Sequence, residues 1–358
     1  MIRVFHQWME RYLADEEAVL VLVLLAASVL VLVTLGVTLA PMITAIIIAF
    51  LMQGLVLRLK SWGVSHIVAV SLAFFVLVSS IFICLLYVLP ALWWQLGNLF
   101  KEAPKMLKDG QEMLLLLPEK YPSLFTEQQV TDLVNSLRAD FAQLGQSVFE
   151  FSLAQLPVLM GILIYFVLVP ILVFFFLKDS QSIIAWFTSM LPNRRPVMQK
   201  IWHEMNQQIA NYVRGKVIEI FIVAFVSTIS FALLGLNYAL LLGFVVGLSV
   251  LIPYIGAAVA TLPVALIAFF QWGWGSEFLY VMVVYAIIQA LDGNVLVPLL
   301  FSEAVKMHPV AIILAVLVFG ALWGFWGVFF AIPLATLCKA IINAWPTAEN
   351  DEADAETV

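Results

Sequence analysis

From Leu279 to Cys338 the chain is apolar almost without interruption, and the charged residues within that run are Asp292, Glu303 and Lys306. Such a run leaves no polar face for water, so it suits lipid rather than the surface of a soluble domain. In lipid every backbone N–H and C=O must find a partner inside the protein, which favours helices. The run nevertheless holds a polar knot, Asp292-Gly293-Asn294-Val295-Leu296-Val297-Pro298, and a second cluster with Glu303, Lys306, His308 and Pro309. It ends in a glycine ladder, Gly320, Gly324 and Gly327, with Pro333 behind it. An Asp at the centre of a membrane helix costs on the order of 3 kcal/mol on insertion scales. A feature that costly needs a structural or functional reason.

Composition extends this to the whole chain. Hydrophobic residues make up 64% and charged residues 11%, with a mean hydropathy of +1.06. Soluble domains carry about 25% charged residues. The expected fold class is therefore an all-α polytopic integral membrane protein. The first run, Ala18 to Ala40, is uncharged and follows Arg3, Trp8, Arg11 and Glu16. It lacks a small-residue cleavage site before the next apolar run, so it reads as a span and not as a signal peptide.

Eight transmembrane helices are expected, over 18–40, 42–57, 64–92, 153–177, 217–235, 238–252, 278–300 and 309–338. The organisation is spans one to three in 1–96, an extracytoplasmic helical hairpin in 97–152, span four in 153–177 and an amphipathic cytoplasmic connector in 178–216. Spans five to eight occupy 217–345 as the candidate translocation core, and an acidic disordered tail fills 346–358. Residues 253–273, with Pro253, Gly256 and Pro263, are expected to form a re-entrant or broken-helix segment lining a cavity.

Loop charge sets sidedness. Arg3 and Arg11, Arg58 and Lys60, and the basic residues Lys178, Arg194, Arg195, Lys200, Arg214 and Lys216 fall on one side of an eight-span layout. That side is assigned to the cytoplasm, with both termini. The opposite stretch, 97–150, holds five basic and eight acidic residues.

The extramembrane pieces read as helices. Val130, Val134, Leu137, Phe141, Leu144, Val148 and Phe151 form a seven-residue stripe behind a Thr126/Gln129 capping box. A weaker stripe, Leu99, Ala103, Met106, Gly110, Met113 and Leu117, precedes Pro118 and Pro122. The two stripes cover each other in a hairpin, or one of them serves a subunit contact. Val197, Ile201, Met205, Ile209 and Tyr212 sit at helical spacing, which suits an interfacial helix or an ordinary connector.

No catalytic constellation and no metal set emerges. His6, His66, His203 and His308 are isolated near span ends, and the serines lack base partners. Cys84 and Cys338 lie in separate apolar runs and imply neither a disulfide framework nor a metal site. Walker and G-x-G-x-x-G patterns are lacking, so no ATP motor is carried. The chain is not expected to be an enzyme, to hold a cofactor or to bind nucleic acid; its expected partners are the bilayer and a small solute.

The candidate pathway residues are Asp292, Asn294, Pro298, Pro253, Tyr254, Gly256, Gln289, His308 and Pro309. Lys306 is the cation nearest Asp292 in sequence. Asp292 is protonated, solvated by a cavity, or caps broken backbone at Gly293-Asn294. Broken helices are how many transporters build a midplane site. Gly243 and Gly247, like Gly320, Gly324 and Gly327, read as close helix-packing positions.

Taken in order, Tyr212-Val-Arg-Gly215, Ile252-Pro-Tyr-Ile-Gly256, Asp292-Gly-Asn294 through Pro298, His308-Pro309, the glycine ladder and Pro333 resemble the autoinducer-2 exporter family. The likeness covers nearly the whole chain. Lys216 departs from it where the family commonly has Gln, and Phe301-Ser302 where a small Gly is common. The resemblance implies a bacterial inner-membrane transporter, plausibly oligomeric. Some members are proposed to export autoinducer-2 and others are reported as sodium/proton antiporters. Three expectations follow. The first is a secondary transporter exporting a small polar solute such as autoinducer-2, and the second is a cation/proton antiporter moving H+ or Na+. The third is a non-transporting membrane scaffold whose 97–150 hairpin binds a partner. The irregular elements are expected to converge on one cavity.

Overall fold

The computed structural model describes residues 16–115, 156–192, 195–253, 255–301 and 307–344, with a few isolated positions between 128 and 136. Every element among the described residues is helical. Seven helical stretches are long and apolar enough to cross a membrane, or eight if one bent pair counts as a span. The chain is a multi-pass membrane protein. Its outer surface is apolar, with Leu30, Phe75, Phe221, Leu262 and Leu299 exposed, as a lipid-facing surface requires. Hydroxyls on that surface bond backward along their own helix, Ser28 to the Leu24 carbonyl at 2.7 Å and Thr34 to the Leu30 carbonyl at 2.7 Å, where water is not at hand.

Helix α1, Glu16–Ser61, carries the first two apolar windows, which meet at Val37 and not at Pro41. The Glu17 carboxylate accepts from the Met198 N–H at 2.8 Å, and Gly54 lies against the Arg214 guanidinium. A straight helix would hold residues 17 and 54 about 55 Å apart, whereas residues 198 and 214 lie only about 24 Å apart along their own helix. Helix α1 therefore bends between its windows, in the stretch that holds Gly36 and Pro41. Its second window packs through Ala45, Ala49 and Val56 on α2, His66–Ile83, at Ala69, Val70, Ala73 and Leu77. The same cluster takes in Val169, Val173 and Leu177 of α4, Leu156–Lys178.

A π-turn, Cys84–Val88, joins α2 to α3, Leu89–Leu115, so the helix runs through the expected boundary at residue 97. Part of the first extramembrane stripe lies on α3 and meets the transmembrane core: Leu99 packs on it and Gly110 lies against Phe270. The second stripe lies outside the described residues, as do Tyr254, Glu303, Lys306 and the acidic tail.

Helix α4 bends by 78° into α5, Ser180–Ser189. Helix α6, Pro196–Leu233, is continuous, so the connector expected over 178–216 and the span expected over 217–235 share one helix. After a turn at Gly235 and Tyr238, α7, Ala239–Ser249, returns antiparallel along α6. Gly243 sits on Thr228 and Gly247 on Ala224 and Ile220, contacts too close for a Cβ. Helix α7 has 11 residues, about 16 Å, against a hydrocarbon core of about 30 Å. The sixth expected span is thus a half-helix.

Over 253–273, where a re-entrant or broken segment is expected, the chain is helical, and Gln271 near its end bonds at 2.8 Å to the Asn237 N–H and the Gly235 carbonyl, at the entry to α7. Helix α8, Ile255–Trp272, is one helix of spanning length with Pro263 inside it. Proline is tolerated in a membrane helix where neighbours satisfy the freed carbonyl. Helix α9, Ser276–Leu291, continues through a π-turn, Asp292–Leu296, into α10, Val297–Phe301, within one 26-residue stretch.

A further hairpin follows. The single span expected over 309–338 folds back on itself. Helix α11, Pro309–Phe329, is broken at Gly324 (φ 58°, ψ −134°), and α12, Ala331–Ala344, returns along it. Gly327 abuts the Phe319 carbonyl, Gly320 faces Val328, and Ala315 and Val316 cluster with Ala331. The Thr336 hydroxyl reaches the Met307 sulfur at 3.9 Å. The arm from Pro309 to Gly324 is about 22 Å long, short of the membrane core. Hydropathy could not separate this hairpin from a long span, because the sequence stays apolar through the turn, from Phe325 to Leu334.

Candidate functional site

Helix α6 supplies the centre. Tyr212, Lys216 and Glu219 fall four and three residues apart and so share one face. That face meets the end of α7, the π-turn of α9 and the α11–α12 hairpin. Lys216 is 4% exposed and Glu219 1%, and their charged groups lie 2.6 Å apart. Burying two charges is costly unless geometry and further hydrogen bonds compensate. Here they do. The Lys216 ammonium also donates to the Val250 carbonyl at 3.1 Å. That carbonyl caps the C-terminal end of the half-helix α7, where unsatisfied oxygens and the helix dipole present negative charge. The Phe301 ring lies 5.1 Å from the same nitrogen, a cation–π contact. Gly215 permits this approach, since a Cβ there would stand 2.8 Å from the Phe301 ring.

Asp292 is the fourth wall. It is the first residue of the π-turn and an electrostatic neighbour of both Lys216 and Glu219. Its Oδ1 is buried without a hydrogen-bond partner among the described residues. π-Turns concentrate at functional sites. Asn294 takes the capping role left open for Asp292: its Nδ2 donates to the Ala290 carbonyl at 2.8 Å. One turn before Asp292, Gln289 carries a buried Nε2 that has the Tyr285 hydroxyl as its neighbour but makes no well-aligned hydrogen bond.

Tyr212 ties the hairpin to this face. Its hydroxyl donates to the Phe329 carbonyl at 2.8 Å, and its ring packs on Phe301 and Phe329. Ile47 of α1 and Ile312 and Ile332 of the hairpin complete that cluster.

The other expected residues lie apart from this centre. Pro298 is exposed on α10. Pro253 sits in the turn between α7 and α8, its carbonyl accepting from the Ile255 N–H at 2.7 Å. Gly256 closes on the Ser249 carbonyl. His308 is the N-cap of α11, its Nδ1 accepting from the Val310 N–H at 3.3 Å, and Pro309 takes the first helical position. His308 also lines an open groove of 610 Å³ between the hairpin arms, with Ala311, Leu314, Ala335, Cys338 and Lys339. Asp292, Pro253 and Gly256 do not line that groove.

Sequence reasoning missed Glu219 and misplaced Lys216. With the fifth span drawn from residue 217, both fell at its edge, and Lys216 counted as a cytoplasmic loop charge. The missed signal was the apolar sequence on both sides of Glu219, from Val217-Ile218 to Ile220-Phe221-Ile222. A carboxylate inside such a run is a functional-site signal.

A family profile described as AI-2E family transporter matches residues 19–347. PerM from Escherichia coli (strain K12), named as a permease, is 46% identical over 98% of this chain and 99% of its own length. YueF and YrrI from Bacillus subtilis (strain 168), both named as transport proteins, are 27% and 25% identical, each over 84% of this chain and over 82% and 85% of their own lengths.

Proposed function

The chain belongs to the AI-2E transporter family, a membrane-transport family, and from that membership we propose a secondary permease that exports a small polar solute, autoinducer-2 or a related signal molecule. One observation carries this reading. The buried Oδ1 of Asp292 has no hydrogen-bond partner among the described residues, and the buried Nε2 of Gln289, one turn earlier on the same membrane helix, has only the Tyr285 hydroxyl beside it. Buried polar groups are ordinarily hydrogen-bonded, so a ligand that supplies an acceptor and a donor suits them. Loss of signal efflux from vesicles bearing Gln289→Leu or Asp292→Asn, with efflux intact in the parent chain, is the expected result. An extracellular signal unchanged by deletion of the gene removes autoinducer-2 as the substrate.

Cation/proton antiport is the second reading, favoured by the pairing of Glu219 and Asp292 as electrostatic neighbours across Lys216. Paired acids titrate as a unit, which suits exchange. Asp292→Asn then abolishes ion-driven proton movement in everted vesicles; retained exchange refutes this reading. Under either reading the chain resides in a bacterial inner membrane with both termini cytoplasmic, and it assembles with copies of itself. Cysteines at Val134 or Leu137 in a chain free of other cysteines test the assembly, and intrachain products alone count against it.

A further inference from the structure

Three groups contact the Lys216 ammonium. They are the Glu219 carboxylate at 2.6 Å, the Val250 carbonyl at 3.1 Å and the Phe301 ring at 5.1 Å, with Asp292 a more distant electrostatic neighbour. Discontinuous membrane helices coordinate monovalent cations with half-helix C-terminal ends, and here such an end stands beside the Glu219 carboxylate. An aromatic face adds a second, weaker attraction for positive charge. The site is dry, since Lys216 and Glu219 are almost fully buried, and an ammonium is a compact point charge on a flexible stem. Tyr212, one turn earlier on the same face, spends its proton on the Phe329 carbonyl and contributes no charge.

We propose that Lys216 occupies a sodium-type cation site from within, its tethered ammonium standing where a free alkali ion would otherwise bind. The site is built from α6, the end of α7 and the π-turn of α9, and the chain keeps it permanently filled. Alkali ions therefore do not bind there in the parent chain. Replacing Lys216 by a neutral residue of similar length bares the Glu219 carboxylate and the Val250 carbonyl, in the field of Asp292, and a sodium ion becomes the occupant. The inference rests on the solute-export reading, since cation exchange at these carboxylates is incompatible with a permanently filled site.

The test uses purified full-length protein in detergent, in NaCl against choline chloride at equal ionic strength and constant pH. The parent chain unfolds at the same temperature in both salts. Lys216→Gln is stabilised by NaCl in a saturable way, by several degrees, and binds radioactive sodium, whereas the parent does not. Lys216→Gln combined with Asp292→Asn loses the sodium effect. The proposal is overturned if Lys216→Gln behaves alike in both salts, or if it does not fold even in NaCl, since sodium must compensate the bared carboxylate. It is also overturned if the parent chain is stabilised by sodium to the same extent as the variant, or if the double variant keeps the sodium effect. A failure of solute efflux in the same preparation leaves each of these outcomes readable.

Discussion

Replacing Lys216 by Met removes the partner of Glu219 while nearly preserving side-chain volume. Glu219 is 1% exposed and its contact with Lys216 is 2.6 Å, so water cannot take over the solvation of the carboxylate. Breaking a buried pair on one side costs about 3–5 kcal/mol, whereas replacing both members by apolar groups of similar volume is about neutral or stabilising. The Val250 carbonyl, which accepts from Lys216, adds about 1 kcal/mol when its donor goes. Lys216→Met is therefore expected to destabilise by about 4 kcal/mol, and Glu219→Leu by a similar amount because it leaves a buried ammonium. The double variant should return to within about 1 kcal/mol of the parent. The resulting interaction energy in a double-mutant cycle exceeds the usual range for neighbours of about 0.5–3 kcal/mol. Reversible unfolding of the four proteins in mixed micelles, with choline as the only cation, measures it. Single variants that each lose less than about 1 kcal/mol, the worth of a surface pair, would refute the placement of this pair inside the bundle.

Other outcomes follow from the hairpin and the π-turn. In a straight helix Met307 and Thr336 would be about 43 Å apart, yet their side chains meet. Met307→Cys with Thr336→Cys, in a chain with Cys84 and Cys338 replaced by Ser, should crosslink within the chain through a short bifunctional reagent, and no crosslink means no hairpin. Gly324→Ala meets no atom within 4 Å, but Gly324 has a φ of 58°. Its cost of about 1–3 kcal/mol should therefore be conformational alone, read as a lowered unfolding midpoint. Asn294→Ala should cost about 1 kcal/mol through the Ala290 carbonyl and leave efflux intact. Asp292→Asn should abolish efflux without loss of stability, because it neutralises a partnerless buried oxygen.

How much of this was legible before the fold is clearest at individual residues. Asp292 stood out because an acid inside an apolar run is visible in one dimension. Gly243 and Gly247 were read as packing positions, and each admits a neighbouring helix. His308 and Asn294 were flagged for polarity, but their side chains serve the backbone of their own helices at separations of two and four residues. Glu219 and Lys216 were hidden by a span boundary drawn one residue away.

The sequence by itself determined that the chain enters a membrane and does so as helices. That outcome depends on composition and on hydrogen bonds made within a few residues, since lipid offers the backbone no other partner. It also determined that polar atoms are carried to membrane depth. Only the tertiary structure decided where the chain turns and which charges meet. Gly324 reverses an apolar run that hydropathy reads as one span, because a positive φ leaves no trace in hydrophobicity. Lys216 finds Val250 across 34 residues, and it finds Asp292 only when α6 and the π-turn of α9 come together. Those contacts arise from the docking of one apolar helix on another, where many apolar surfaces are nearly equivalent and a few glycines and one buried ion pair select the register.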